Sequence, residues 1–129
     1  MHYSVPIELD QQRHLKLGFM AVTQVDQQVG PKYGVNFFQA ITKLIDGWLN
    51  LDVVAEIYFY GLRHEDDKLT KQKTIQLLET ALAERQHDTG DLIRYLIEAA
   101  QKSGVLDYTE DEEAVPSDSA SDPLESESG

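Results

Sequence analysis

The chain contains no cysteine, which excludes disulfide staples, thiolate nucleophiles and cysteine-ligated zinc. It is also short of positive charge, with 11 Lys and Arg against 23 Asp and Glu. That balance argues against a binder of phosphate backbones, which needs cations to displace counterions, and against electrostatic attachment to anionic lipid. Neither nucleic acid nor membrane is therefore expected as a partner. No apolar run approaches the length that crosses a bilayer. No basic stretch followed by an apolar one opens the chain, so no secretory signal is read. The pattern fits a soluble intracellular protein.

Signatures of catalysis are missing as well. There is no glycine-rich phosphate loop and no Gly-x-Ser-x-Gly elbow. The four histidines, His2, His14, His64 and His87, never fall at the helical spacing of an HExxH zinc site. His64, Glu65, Asp66 and Asp67 bring four metal-ligating types together. Consecutive residues of one loop rarely converge on an ion, however, and the calcium-loop spacing with its glycine is absent. The run reads as a solvated charged turn. The expectation is a protein that is not an enzyme and holds no cofactor or metal.

What charge there is lies unevenly. Nine of the 23 acidic residues fall in 105–129, which has no Lys or Arg, so the net charge of −12 divides into −9 there and −3 on residues 1–104. The 129 residues suit one domain. Residues 1–104 are expected to form a hairpin plus helical domain, and 105–129 a disordered acidic tail with almost nothing to bury.

Tyr3, Val5, Ile7 and Leu9 alternate with polar residues, the period of a half-buried strand, and Pro6 places it at an edge. A polar connection over 10–13 leads to Leu15 and Leu17, which alternate with His14 and Lys16 as a second strand. From Gly18 the period changes. Phe19, Val22, Val25 and Val29 mark a helix that should stop at Gly30, with Pro31 beyond. Phe37, Phe38, Ile41, Leu44, Ile45, Trp48 and Leu49 mark a second, with a break at Gly47. Thr70 caps a helix with a stripe of Ile75, Leu78 and Leu82, and Asp88 or Thr89 caps a last one carrying Leu92, Ile93, Leu96, Ile97 and Ala100. The fold class is α+β, mainly α: an N-terminal antiparallel hairpin packed on a bundle of about five helices.

One stretch organises the rest. Residues 51–70, LDVVAEIYFYGLRHEDDKLT, follow a good N-cap at Asn50 and pack apolar and aromatic side chains densely, up to a break at Gly61. Val53, Ile57 and Tyr60 share one arc, extended by Val54 and Tyr58, while Phe59 falls on the far side and Leu62 off the main arc. A helix apolar on so much of its circumference is either central or shows apolar surface to a partner. The candidate partner contacts are Trp48, Phe59, Leu62, Arg63 and His64.

In element order the chain resembles the tail assembly chaperones of long-tailed, siphovirus-type phages and prophages. The resemblance rests on LKLGFMAVTQVDQQVG after the hairpin, on DVVAEIYFYGLRHEDDKLT in the helical body, and on two further helices before a charged end. It implies a protein that binds the tape-measure protein, a long helical chain, and keeps it soluble while the tail tube polymerises around it. It further implies the host cytoplasm as location, absence from the mature virion, and a capacity for homo-oligomers. A frameshifted longer form would recruit the tail tube protein; the present chain resembles the shorter form. The competing reading is an acidic inhibitor, or nucleic-acid mimic, that occludes a basic host protein. Removal of residues 107–129 should leave the melting transition nearly unchanged by circular dichroism; a large loss of stability would show that they pack on the body.

Overall fold

The two alternating apolar runs pair because only one face of each is apolar. In the computed structural model, which describes residues 3–106, β1 (Val5–Glu8) runs antiparallel to β2 (Gln12–Leu15). The register sets Val5 opposite Leu15 and Ile7 opposite Arg13, so one face buries Val5, Ile7, Arg13 and Leu15. The second strand begins at Gln12, inside the expected connection. Arg13 can face inward because its guanidinium fork is satisfied. It donates to both oxygens of Asp10, at 2.7 and 2.9 Å, and to Asp66 at 3.3 Å.

Five helices follow among the described residues: α1 (Phe19–Tyr33), α2 (Phe37–Ile45), α3 (Leu51–Leu62), α4 (Lys71–Ala83) and α5 (Thr89–Lys102). The fold is α+β, as expected from the periodicities. Polar caps start most of the helices. Asn36 and Asp88 form reciprocal capping boxes, and the side chains of Asn50 and Thr70 accept from Val53 and Lys73. Helix α1 does not stop at Gly30. Pro31 is taken up in its last turn, where it removes one backbone donor, and the chain turns only at Gly34, whose φ is 67°. Burial of Val29 and the 2.7 Å bond from the Tyr33 hydroxyl to Asp52 hold that extra turn in place. The break at Gly47 is present, with φ 100°, and ends α2 ahead of Trp48.

Helix α3 is the centre: it packs against α1, α4, α5 and β2. Every residue from Val53 to Tyr58 is buried, a pattern no surface helix shows. The Tyr58 hydroxyl, deep inside, donates to the Leu92 carbonyl at 2.7 Å. Gly61 does not break the helix. It lies one residue inside its end, and the Lys16 amide donates to its carbonyl at 2.9 Å. A Cβ there would stand 2.4 Å from Leu15 Cδ1 and 2.9 Å from Leu17 Cδ2. Glycine is needed because a strand presses on the helix at this point.

Helix α4 buries Leu78 of the expected stripe and Ala81 beside it, but adds Thr74 and Leu77 and leaves Ile75 exposed and Leu82 half-buried. Thr74 tolerates burial because its hydroxyl donates to the Thr70 carbonyl. The acidic tail was expected over 105–129, but Val105 and Leu106 still pack on the core, and residues 107–129 lie outside the described residues. No described helix is long and apolar enough to cross a membrane.

Gly61→Ala should be destabilising by about 1 kcal/mol in urea unfolding, because overpacking of about 1–3 kcal/mol outweighs the helix-propensity gain of about 1 kcal/mol. A variant as stable as the parent would show that β2 does not press on α3 there.

Candidate functional site

The turn after α3 is solvent-exposed at His64, Glu65, Asp67 and Lys68, as expected, but three of its side chains also reach the hairpin. Glu65 accepts from the His14 amide at 2.9 Å and sits 2.6 Å from its ring. The His64 ring donates to the His14 carbonyl at 2.6 Å, and Asp66 takes up Arg13. Burial pushes the Glu65 carboxyl up, but the His14 hydrogen bonds outweigh it and hold the pKa below the usual carboxylate range. The hairpin tip is tied down separately, by His87 to the Glu8 carbonyl and by Gln86 to the Leu9 carbonyl. His14, His64 and His87 thus act as fasteners, while His2 lies outside the described residues. Among the described residues no cluster of three His, Asp or Glu could hold a metal ion.

Beside this fastened turn lies an open groove of about 460 Å³, bordered by Lys16, Phe19, Met20, Tyr60, Arg63 and His64, with Asp67 also at its edge. Phe19 and Met20 are 83% and 71% exposed. The expected stripe of α1 included Phe19; the helix instead buries Ala21, Val22, Val25 and Val29. Stepping back four residues from Val25 reaches Ala21, so the spacing itself could have flagged Phe19 as facing away.

The five residues singled out from the sequence are not one site. Arg63 and His64 border the groove. Phe59 is half-buried, with the Arg63 guanidinium 5.1 Å over its ring. Leu62 is 1% exposed and belongs to the core, so it does not extend an apolar surface patch. Its off-arc position is buried because α3 is enclosed on more than one side. Trp48 precedes α3 and so lies at its opposite end, half-buried and edge-on to Tyr33 at 5.9 Å.

Near that opposite end is a second hollow, about 340 Å³, with Leu51, Val54, Ile75, Leu78, Leu82 and Leu92 in its walls. Leu51 and Ile75 are 55% and 44% exposed. Asp52 lies on the same wall and gathers the local charges. It accepts from Lys71 at 2.6 Å, Tyr33 at 2.7 Å and Lys32 at 3.0 Å. Lys71 also donates to the buried Glu56 at 2.7 Å. Burial works against the charge on Lys71, yet the bonds to Asp52 and Glu56 hold its pKa above the ordinary value. This arrangement can bind apolar side chains in two places. The charged groups at the second hollow are spent on holding the fold.

The hydrogen bond from Lys71, aided by those from Tyr33 and Lys32, depresses the Asp52 carboxyl far below its ordinary value of 3.8. A pKa lowered in the folded state contributes stability above the unfolded value and loses it as pH falls through the folded one. Asp52→Asn should therefore cost about 1 kcal/mol at neutral pH, discounted for partial exposure, and should flatten the loss of stability below about pH 4. Equal acid sensitivity of parent and variant in urea unfolding would exclude Asp52 as the titrating group. No protein-family model, curated protein or solved structure matches the chain.

Proposed function

We propose that this chain is a non-enzymatic binding protein of the tail assembly chaperone kind. It holds apolar stretches of the tape-measure protein and keeps them soluble while the tail tube polymerises. The observation that carries this reading is the pair of hollows flanking α3, each beside large side chains left in solvent: Phe19 and Met20 at one, Leu51 and Ile75 at the other. Bulky apolar groups gathered at a concave surface mark a partner site rather than scattered exposure. An amphipathic client helix presents side chains at three- and four-residue steps, the spacing that can enter such hollows. Two separate hollows suit a client that is long and repetitive. The anionic excess of the chain keeps it soluble while they are empty.

On this reading the chain works in the host cytoplasm, binds neither nucleic acid nor membrane, and leaves before the virion matures. A frameshifted longer form would bring in the tail tube protein, and homo-oligomers would array the hollows along the client. The inhibitor reading needs carboxylates displayed freely at phosphate-like spacing. Residues 1–104 carry a net charge of only −3, and six of their carboxylates, Asp10, Asp52, Glu56, Glu65, Asp66 and Asp91, are paired with cations or histidine.

Co-expression tests the proposal. The tape-measure protein should move to the soluble fraction with the parent chain. Met20→Asp combined with Ile75→Asp should abolish that rescue while shifting the melting temperature little, since both side chains are exposed. A tape-measure protein equally insoluble with and without this chain overturns the assignment.

A further inference from the structure

The Phe19–Met20 groove has a property that a purely apolar client does not explain. Its rim carries the cations Lys16 and Arg63 on a protein of net charge −12. Neither of them takes part in an ion pair among the described residues, whereas Arg13, Lys32, Lys71 and Arg94 all do. The Arg63 Nε is buried and has no hydrogen-bond acceptor among the described residues. Buried donors of this kind are normally satisfied, so the Arg63 guanidinium keeps unmet donor capacity beside the groove. An occupant that fits would bring apolar side chains to Phe19, Met20 and Tyr60, and carboxylates to Lys16 and Arg63. The single rim carboxylate, Asp67, disfavours a strongly acidic occupant on its own side only.

We propose that this occupant is the chain's own acidic segment, within residues 107–129, which lies in the groove until a client displaces it. The composition matches: residues 107–129 carry nine carboxylates and no Lys or Arg, punctuated by Tyr108, Val115 and Leu124. The path matches too. After α5 the Ser103 hydroxyl meets the Tyr3 carbonyl at 3.4 Å, and the amides of Val105 and Leu106 both bond to the Ala100 carbonyl. The chain therefore leaves the described fold beside the start of β1. Val5, two residues on, faces Leu15, and Lys16 follows directly with its amide on the Gly61 carbonyl, two residues before Arg63. The exit and the basic rim lie at the same end of the hairpin. Residues 107–115 can extend about 30 Å, enough to bring the carboxylates between Tyr108 and Val115 to that rim. Tethering replaces a weak bimolecular contact by an intramolecular one at high effective concentration, so two cations and a shallow apolar floor suffice. The contact is salt-labile and adds little to the stability of the body. It would shield Phe19 and Met20 from self-association while no client is bound. This inference goes beyond the client reading, and its test needs no client.

The chain's own composition supplies clean probes. With no native cysteine, Ser117→Cys in the full chain takes a single nitroxide label; Met20 is one of only two methionines, so its ε-methyl is resolved by 13C-methionine labelling. At low ionic strength, about 0.01 M, where charges act over about 30 Å, the Met20 methyl signal should lose most of its intensity to the oxidised label. Intensity should return on reduction of the label, at about 1 M salt, where the range falls to about 3 Å, and in the Lys16→Glu, Arg63→Glu double variant. Unchanged amide spectra of the core in that variant separate loss of docking from loss of fold. A Met20 signal indifferent to the label at low salt overturns the proposal. Broadening that persists when label and 13C-methionine reside on different molecules assigns the occupant to a second copy, and overturns it equally.

Discussion

The close approach of β2 to α3 at Gly61 is the contact from which most of the architecture follows. The Lys16 amide, directly after β2, bonds to a helix carbonyl, and two leucines occupy the space a side chain would need. With the hairpin seated there, the turn after α3 falls within reach of Arg13 and His14, and its Glu65 and Asp66 become fasteners while staying partly exposed. The same seat sets Lys16 close to Arg63, and so creates a basic rim on an acidic protein.

Charge is used in two clusters, one toward each end of α3. At the N-terminal end Asp52 and Glu56 gather Lys32, Tyr33 and Lys71, which ties α1 and the first turn of α4 to the central helix. At the C-terminal end Arg13, Asp10, Asp66, His14 and Glu65 clip the hairpin. Each cluster is only partly buried, so screening limits what it adds. Its main effect is register: α3 is mostly apolar and could pack in several rotations, and the ion pairs favour one. The apolar hollows lie beside these clusters. The hollow beside Asp52 is walled by side chains whose polar groups are already engaged, whereas Lys16 and Arg63 at the other form no ion pair among the described residues.

The elements themselves were legible because their signals are local. Alternation in the first strands, the caps at Asn50, Thr70 and Asp88, and the break at Gly47 each depend on neighbours within a few residues. The misread positions are those where a distant partner reverses a local preference. Pro31 extends a helix it was expected to follow, because Val29 and Tyr33 are anchored on either side of it. Arg13 turns inward because Asp10 and Asp66 satisfy its fork. Leu77, not Ile75, joins the core of α4, a difference of rotation fixed only by which face meets α3.

The candidate site follows the same division. Its sequence neighbours Arg63 and His64 were marked by their place after an apolar helix, but Lys16, Phe19 and Met20, far away in the chain, had no signal linking them to that turn. By itself the sequence determined which elements are present and in what order, where the capped helices begin, that the 51–70 stretch lies at the centre, and that the anionic charge is concentrated at one end. These are consequences of periodicity, capping and composition. Tertiary structure alone decided that Gly61 is a point of contact rather than a break, that Leu62 is core, and that Phe19 and Met20 stand out in solvent beside Lys16 and Arg63, which form no ion pair among the described residues. The physical reason is that a side chain's exposure depends on which surfaces the fold brings against it, and those come from residues remote in the chain.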